Sequence, residues 1–286
     1  MTTASADGAA LPVYEAYAIR YASVTRRAVD NFLSRADVHD GPMPLDFYCW
    51  LLRGPAGNVL VDTGFSACSA RARDRAFTLH PEAALARLGL APADIDHVIL
   101  THLHYDHAGN VEAYPRAQVH LQDTEMQYAT GRYMCFAAMR HFFSVDDVQS
   151  VLRQVYAGRV RFHDGDAELA PGLELHHIGG HTQGLQVVRV HTARGWIVLA
   201  SDALHYARNL TDDNPFPAIF HLGDMLEGYR RIRALVESDA HIVPGHDPAV
   251  ARQYPPADGE AGIYRLDTPP LCCLLYTSDA ADDSLR

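Results

Sequence analysis

Within the stretch Thr101-His102-Leu103-His104-Tyr105-Asp106-His107-Ala108-Gly109-Asn110, the chain sets three histidines and an aspartate inside six positions. Buried side by side, four such side chains would be hard to satisfy, and unsatisfied polar atoms are costly in a core. A divalent metal ion satisfies them together, because imidazole nitrogen and carboxylate oxygen are ordinary metal donors. The run therefore calls for further donors elsewhere in the chain.

The preceding residues, Asp96-His97-Val98-Ile99-Leu100-Thr101, form a short apolar run that reads as a buried strand. In extended backbone, positions i, i+2 and i+4 point the same way. That alternation predicts that His102, His104 and Asp106 share one side while His107 turns elsewhere, so that one loop serves two neighbouring ions. A His-Glu-x-x-His pair differs, since it needs a helical turn to align its histidines. Three more segments offer donors in order. They are Gly179-Gly180-His181-Thr182-Gln183-Gly184, Leu199-Ala200-Ser201-Asp202-Ala203 and Ile242-Val243-Pro244-Gly245-His246-Asp247.

His-x-His-x-Asp-His after an apolar strand, followed by His181, Asp202 and His246, resembles the metallo-β-lactamase superfamily. The resemblance spans residues 12–268. It implies an α+β fold, a four-layer αββα sandwich with two facing sheets inside and helices outside. It also implies two divalent metal ions, with zinc best suited to the nitrogen and oxygen donors. One ion would be held by His102, His104 and His181, the other by Asp106, His107 and His246, with Asp202 bridging. Asp62, in Asp62-Thr63-Gly64, would support the metal loop from behind. Two ions ~3.5–4 Å apart can hold a shared water as hydroxide near neutral pH. The implied reaction is hydrolysis of an ester, lactone, thioester or amide.

Within the superfamily the likeness is to N-acyl homoserine lactonases. It runs from Asp202 through Pro215-Phe216-Pro217 and Asp224-Met225-Leu226-Glu227-Gly228-Tyr229 to Pro244-Gly245-His246-Asp247. Lactonases of this kind place a tyrosine three residues after the bridging aspartate. Here that position is His205, with Tyr206 next. Of the two, Tyr206 is the expected oxyanion donor, since a phenol stays neutral and donating across physiological pH. A glyoxalase-II-like thioesterase shares all seven ligands but usually adds a C-terminal helical domain, for which residues 247–268 are too short. A mononuclear iron persulfide dioxygenase, using only some of the ligands, is a further alternative.

Composition narrows the partners. A formal net charge of −11 disfavours a nucleic-acid partner. All 24 basic residues are arginine, so lysine nucleophiles and Schiff bases are excluded. The five cysteines, Cys49, Cys68, Cys135, Cys272 and Cys273, are scattered and odd in number, which argues against a disulfide framework. No apolar run approaches the ~20 residues that span a bilayer, and Met1–Ala10 lacks the pattern of a signal peptide. The expectation is a cytoplasmic enzyme with a small-molecule lactone or ester substrate and no membrane partner; a homodimer is compatible with this reading.

Along the chain, residues 1–11 read as a loose N-terminus and 12–268 as one hydrolase domain. Residues 273–286 read as a non-native tail, resembling a translated sequencing adapter. Expected strands are 13–23, 45–53, 59–62, 96–101, 117–121, 160–163, 173–178, 185–191, 196–201, 240–243 and 262–267. Expected helices are 81–90; 123–130, capped by Asp123; one beginning at Ser144, with Ser144-x-x-Asp147 as a capping box; and one from Asp224, as cap, to Val236. Tyr133 to Phe143 reads as a core-facing helix or, more sharply, as a lid or wall of a hydrophobic pocket.

Overall fold

A computed structural model describes residues 10–34 and 40–271. The adapter-like tail, most of the loose N-terminus and residues 35–39 lie outside the described residues.

The strands are β1 (Glu15–Val24), β2 (Leu45–Gly54), β3 (Gly57–Val61), β4 (His97–Ile99), β5 (Gln118–Gln122), β6 (Val160–His163), β7 (Ala167–Ala170), β8 (Leu173–His177), β9 (Gln186–Thr192), β10 (Gly195–Ser201), β11 (Ile242–Pro244) and β12 (Ile263–Arg265). The helices are α1 (Ala67–Ala72), α2 (Pro81–Arg87), α3 (Asp123–Thr130), α4 (Ala137–Arg140), α5 (Val145–Tyr156), α6 (Ala207–Thr211), α7 (Leu222–Ala234) and α8 (Ala249–Gln253). One sheet has the order β12-β1-β2-β3-β4-β5-β6 and the other β11-β10-β9-β8-β7. β3 to β6 run parallel, each crossover long enough to carry a helix or turn, and β10 pairs parallel with β11. Strand β7 was not anticipated; its Ala-Glu-Leu-Ala sequence carries no β-branched residue.

Alternation along the strands sorts the core into layers. Trp50, Leu52, Val59, Val61 and Ile99 of the first sheet meet Leu175, Val188, Val190, Ile197 and Leu199 of the second, filling the space between the sheets. The opposite face of the first sheet, including Leu51, Leu60, Val98 and Val119, packs under Leu85 of α2 and Val148 and Val151 of α5. Val187, Val198 and Ala200 turn to the other outer layer and meet Met225, Tyr229 and Ile232 of α7. These layers form the expected αββα sandwich.

Several local expectations shift. Helix α3 is capped by Gln122, with Asp123 inside the first turn. Helix α7 is capped by His221, whose Nδ1 accepts the Asp224 amide, so Asp224 lies within the helix. Ser144 does cap α5, accepting from the Asp147 amide, but the Asp147 carboxylate accepts from Ser69 instead of closing a box. The segment from Tyr133 to Phe143 is not a core-facing helix. It contains a 3-10 turn and the short α4, leaves Phe136 60% exposed, and brings only its end, at His141 and Phe142, to the cavity below.

Candidate metal centre

The strands β4, β10 and β11 deliver donors from their C-terminal ends, β3 delivers the supporting Asp62, and the β8–β9 connection adds His181. Three overlapping buried groups result. His102, His104, His181 and Asp202 form one, Asp106, His107 and His246 another, and Asp202, His205 and His246 the third; in each, donor atoms lie within 4.8 Å of one another, and the first two hold the seven expected donors. The strand-alternation argument, which grouped Asp106 with His102 and His104, is corrected here. β4 stops at Ile99, the Thr101 amide turns to the Asp62 carboxylate at 2.8 Å, and the His107 amide closes a turn onto the His104 carbonyl at 3.1 Å. The donors therefore leave from a turn, which re-aims Asp106 and His107 together.

Asp202 stands between the first two groups. Its Oδ1 lies 2.9 Å from His246 Nε2 and 3.2 Å from His107 Nε2. Its Oδ2 lies 3.3 Å from His181 Nε2 and 3.8 Å from His102 Nε2. One carboxylate oxygen thus addresses each group.

The far nitrogens of the rings are held by the protein. His107 Nδ1 donates to Asp62 Oδ2 at 2.7 Å, His181 Nδ1 to the Ala218 carbonyl at 2.7 Å and His246 Nδ1 to the Asp46 carbonyl at 2.6 Å. His102 Nδ1 lies 3.1 Å from Thr101 Oγ1, which sits 2.8 Å from Asp62 Oδ2. These partners fix the tautomers that leave Nε2 free. His104 is the exception and faces the centre through Nδ1, 2.9 Å from His181 Nε2.

The residues fit divalent cations. His102 Nε2, His107 Nε2 and Asp202 Oδ1 are buried with no hydrogen-bond partner among the described residues. Such atoms are costly when left bare. Electrostatics agree. Burial, aided by neighbouring imidazoles, pushes His102 and His104 well below the usual histidine range, so both rings are neutral, the form in which an imidazole can accept a cation. Burial also presses on His107, but Asp202, Asp62 and Asp106 raise it well above that range. Burial opposes ionisation of Asp202, yet His246, His107 and His205 hold it well below the carboxylate range. Acidic and basic donors are thus gathered around the positions where cations belong.

Asp62 and Ser201 both adopt left-handed backbone, with φ of 60° and 44°. Non-glycine residues there store strain that surrounding contacts must hold. Asp62 Oδ1 accepts from the Thr101 amide, and Ser201 Oγ donates to Asp62 Oδ2 at 3.2 Å, so the strain positions one hydrogen-bonded block beneath the metal loop. This is the supporting role expected of Asp62.

Glu125 carries a positioning role that sequence reading missed. Fully buried on α3, it accepts from the Leu103 amide and the Gly184 amide, both at 2.9 Å, tying the two loops that supply His102, His104 and His181. Gly184 is required at this approach, because a Cβ there would come within 2.2 Å of the Glu125 amide. Nothing in an amphipathic helix marks one glutamate as buried.

A cavity of about 500 Å³ opens over the centre, lined by Asp106, Asp202, His104, His181 and His246 with apolar walls that include Phe142 and Phe216. His205 lines it as well. Its Nε2 lies 3.0 Å from Asp202 Oδ2 and its ring stacks on Phe216 with centroids 3.3 Å apart. Tyr206 is placed elsewhere: its ring packs in the core and its hydroxyl donates to the Pro44 carbonyl at 3.1 Å. The expectation favouring Tyr206 over His205 as the cavity donor does not match this placement. Residue 206 is the N-cap of α6, which turns its side chain away from the metal loop.

A sequence model of the metallo-beta-lactamase superfamily matches residues 44–246, which contain all seven donors. The chain belongs to the metallo-beta-lactamase superfamily. Among superfamily relatives, it is 29% identical over 226 residues to the N-acyl homoserine lactonase AiiA of Bacillus thuringiensis subsp. kurstaki, covering 71% of this chain and 82% of that one. It is 33% identical over 175 residues to the N-acyl homoserine lactonase AiiB of Agrobacterium fabrum, covering 57% and 60%. The crystal structure of a quorum-quenching N-acyl homoserine lactone lactonase superposes with a TM-score of 0.66 at 26% identity, covering 83% of this chain and 93% of that one. An N-acyl homoserine lactone hydrolase with the product N-hexanoyl-L-homoserine at its catalytic metal center gives a TM-score of 0.67 at 25% identity, covering 83% and 94%. Among the described residues, no helix is long and apolar enough to cross a membrane.

Proposed function

We propose that this protein is a dinuclear metal-dependent lactonase that opens the ring of N-acyl homoserine lactones, and so quenches quorum signals. The observation that carries the reading is the division of Asp202, one oxygen toward each donor group beneath a partly apolar cavity. Zinc would suit the all-nitrogen-and-oxygen donor set; His102, His104 and His181 would hold one ion, Asp106, His107 and His246 the other, and Asp202 would serve both. When bound, the ions supply polarisation of the ester carbonyl and acidification of a water.

The chain's own residues do the rest. Asp62, Asp46, Ala218 and Thr101 hold the ligating rings in one tautomer and orientation. The wall at Phe142 and Phe216 excludes water and receives the acyl group. His205 is the catalytic polar group of the wall, beside Asp202 and facing the cavity: burial pushes it down to about 3, so the ring is neutral, its Nε2–H donates to Asp202 Oδ2, and its Nδ1, buried without a hydrogen-bond partner among the described residues, is an acceptor. Its stack on Phe216 fixes the imidazole plane.

Names of relatives support the lactone as substrate, since AiiA and AiiB are N-acyl homoserine lactonases. Ring opening of N-hexanoyl homoserine lactone, followed by acid release at constant pH, tests the reading. A parallel assay with an acyl-glutathione thioester separates it from thioesterase chemistry. Turnover of the thioester alone would replace the lactone reading.

A further inference from the structure

Beyond the metal centre, the same cavity carries positive charge that its carboxylates do not answer. Arg26, in the loop after β1, and Arg75, after α1, both line it. Asp106 and Asp202 are the carboxylates in its wall, and both are committed to the donor groups. Neither arginine forms a salt bridge among the described residues. Arg26 Nη2 donates to the Asp30 carbonyl, and Arg75 Nη1 to the carbonyls of Arg73 and Asp74, so both guanidinium groups are anchored through main-chain oxygens. Arg75 Nε is buried with no hydrogen-bond partner among the described residues. In a chain of net charge −11, carboxylates to pair with are plentiful.

Arg75 is also held in place. The Tyr105 hydroxyl lies against its guanidinium, and the Tyr105 ring is clamped by the Arg73 guanidinium at 4.0 Å. Arg73 in turn donates to the His141 carbonyl at 2.6 Å, joining this wall to the segment from Tyr133 to Phe143. A guanidinium is always charged and presents planar donors that match oxygen acceptors. Anchored in the wall of an otherwise half-apolar cavity, it is a fixed recognition group.

Resting on the lactonase reading, we propose that the preferred substrates carry a hydrogen-bond-accepting oxygen on the acyl group beyond the amide, and that Arg75, with Arg26, selects for it. The acceptor is a chain carbonyl or a carboxylate; both offer the in-plane lone pairs that a guanidinium reads. An unsubstituted alkyl chain offers no acceptor to the part of the guanidinium that Arg73, Asp74 and Tyr105 leave over, which is how a hydrogen-bonding site discriminates.

The test compares three homoserine lactones of equal acyl length: plain alkanoyl, 3-oxoalkanoyl and terminally carboxylated. The full-length wild-type, metal-loaded enzyme is set beside Arg75→Met and Arg26→Met. The expected result is a kcat/KM at least about tenfold higher for one or both oxygenated chains. That ratio should fall below about threefold in Arg75→Met, which a merely structural role for Arg75 would not produce. Preference for the oxo chain alone identifies a neutral acceptor, and preference for the carboxylated chain alone identifies an anion. Hydrolysis of all three with equal kcat/KM overturns the proposal while leaving the lactonase reading intact. If no lactone is cleaved, the lactonase reading fails. The ligand-induced shifts in Tm then decide the selectivity: larger shifts with the oxygenated compounds support it and equal shifts overturn it.

Discussion

The His107 imidazole donates through Nδ1 to Asp62 Oδ2 at 2.7 Å, while its Nε2 lies 3.2 Å from Asp202 Oδ1. The ring is thereby strung between a supporting carboxylate and a ligating one. Asp62→Asn keeps the shape but replaces the acceptor that defines the His107 tautomer. Outer partners of this kind are worth about 10–100-fold in metal affinity. Competition with a chelator should show weakened retention of one equivalent, that held by Asp106, His107 and His246, with the other less affected. Equal weakening of both would mean that Asp62 acts on the whole loop through Thr101.

Asp202→Ala removes a donor from both groups and leaves the surrounding imidazoles without their shared counter-charge. Elemental analysis of wild-type protein purified without chelator should approach two equivalents per chain. The variant should fall well below that and lose most turnover. Two retained equivalents in Asp202→Ala would remove the bridge from the account.

Position 205 and position 206 should separate cleanly. Tyr206→Phe loses a hydrogen bond to the Pro44 carbonyl, costing about 0.5–1.5 kcal/mol of stability with kcat little changed. His205→Ala removes the Nε2–H that Asp202 Oδ2 accepts at the cavity wall, and loss of an outer partner of this kind costs about 10–100-fold in activity. Steady-state kinetics with metal content measured in parallel provides the check. The opposite ranking would restore the phenol as the donor.

The contrast shows what was legible in the sequence. That the seven side chains gather could be read because histidines and aspartates at that density have few other uses. Their expected assignment to two ions came from the family resemblance, and strand periodicity misled because the backbone leaves β4 before His102. Tyr206 is favoured in the sequence on the donor chemistry of a phenol, and chemistry cannot show which way a side chain leaves a helix cap. Glu125 was invisible for a related reason: its burial depends on Leu103 and Gly184, distant in sequence, arriving at its two oxygens.

Gly184→Ala should expose that junction. The added methyl meets the Glu125 main chain, which cannot move aside as a flexible side chain would. Overpacking of this kind costs about 1–3 kcal/mol. A lower Tm is expected, together with reduced metal retention through His181; unchanged values of both would dissociate the Glu125 junction from the centre.

A histidine row away from the centre contributes to acid lability. His97, His120 and His163 are linked across β4, β5 and β6 by nitrogen contacts of 3.1 and 3.0 Å. Burial pushes His120 down to about 3, and burial lowers its two neighbours as well. The unfolded chain titrates near ~6.5, so between that pH and 3 it binds more protons than the folded chain. Stability is therefore complete above ~6.5 and falls as pH drops, by up to about 1.4 kcal/mol per unit for His120. Denaturant melts at pH 7 and pH 5 should show this loss, and His120→Gln should flatten it.

The measurement that bears most directly on the central claim is a metal titration of apo-protein, with bound zinc and ring opening of N-hexanoyl homoserine lactone followed together. The account predicts that lactone turnover rises to a maximum as the second equivalent binds. Full turnover at one equivalent, or two bound equivalents with no lactone opening, would contradict it.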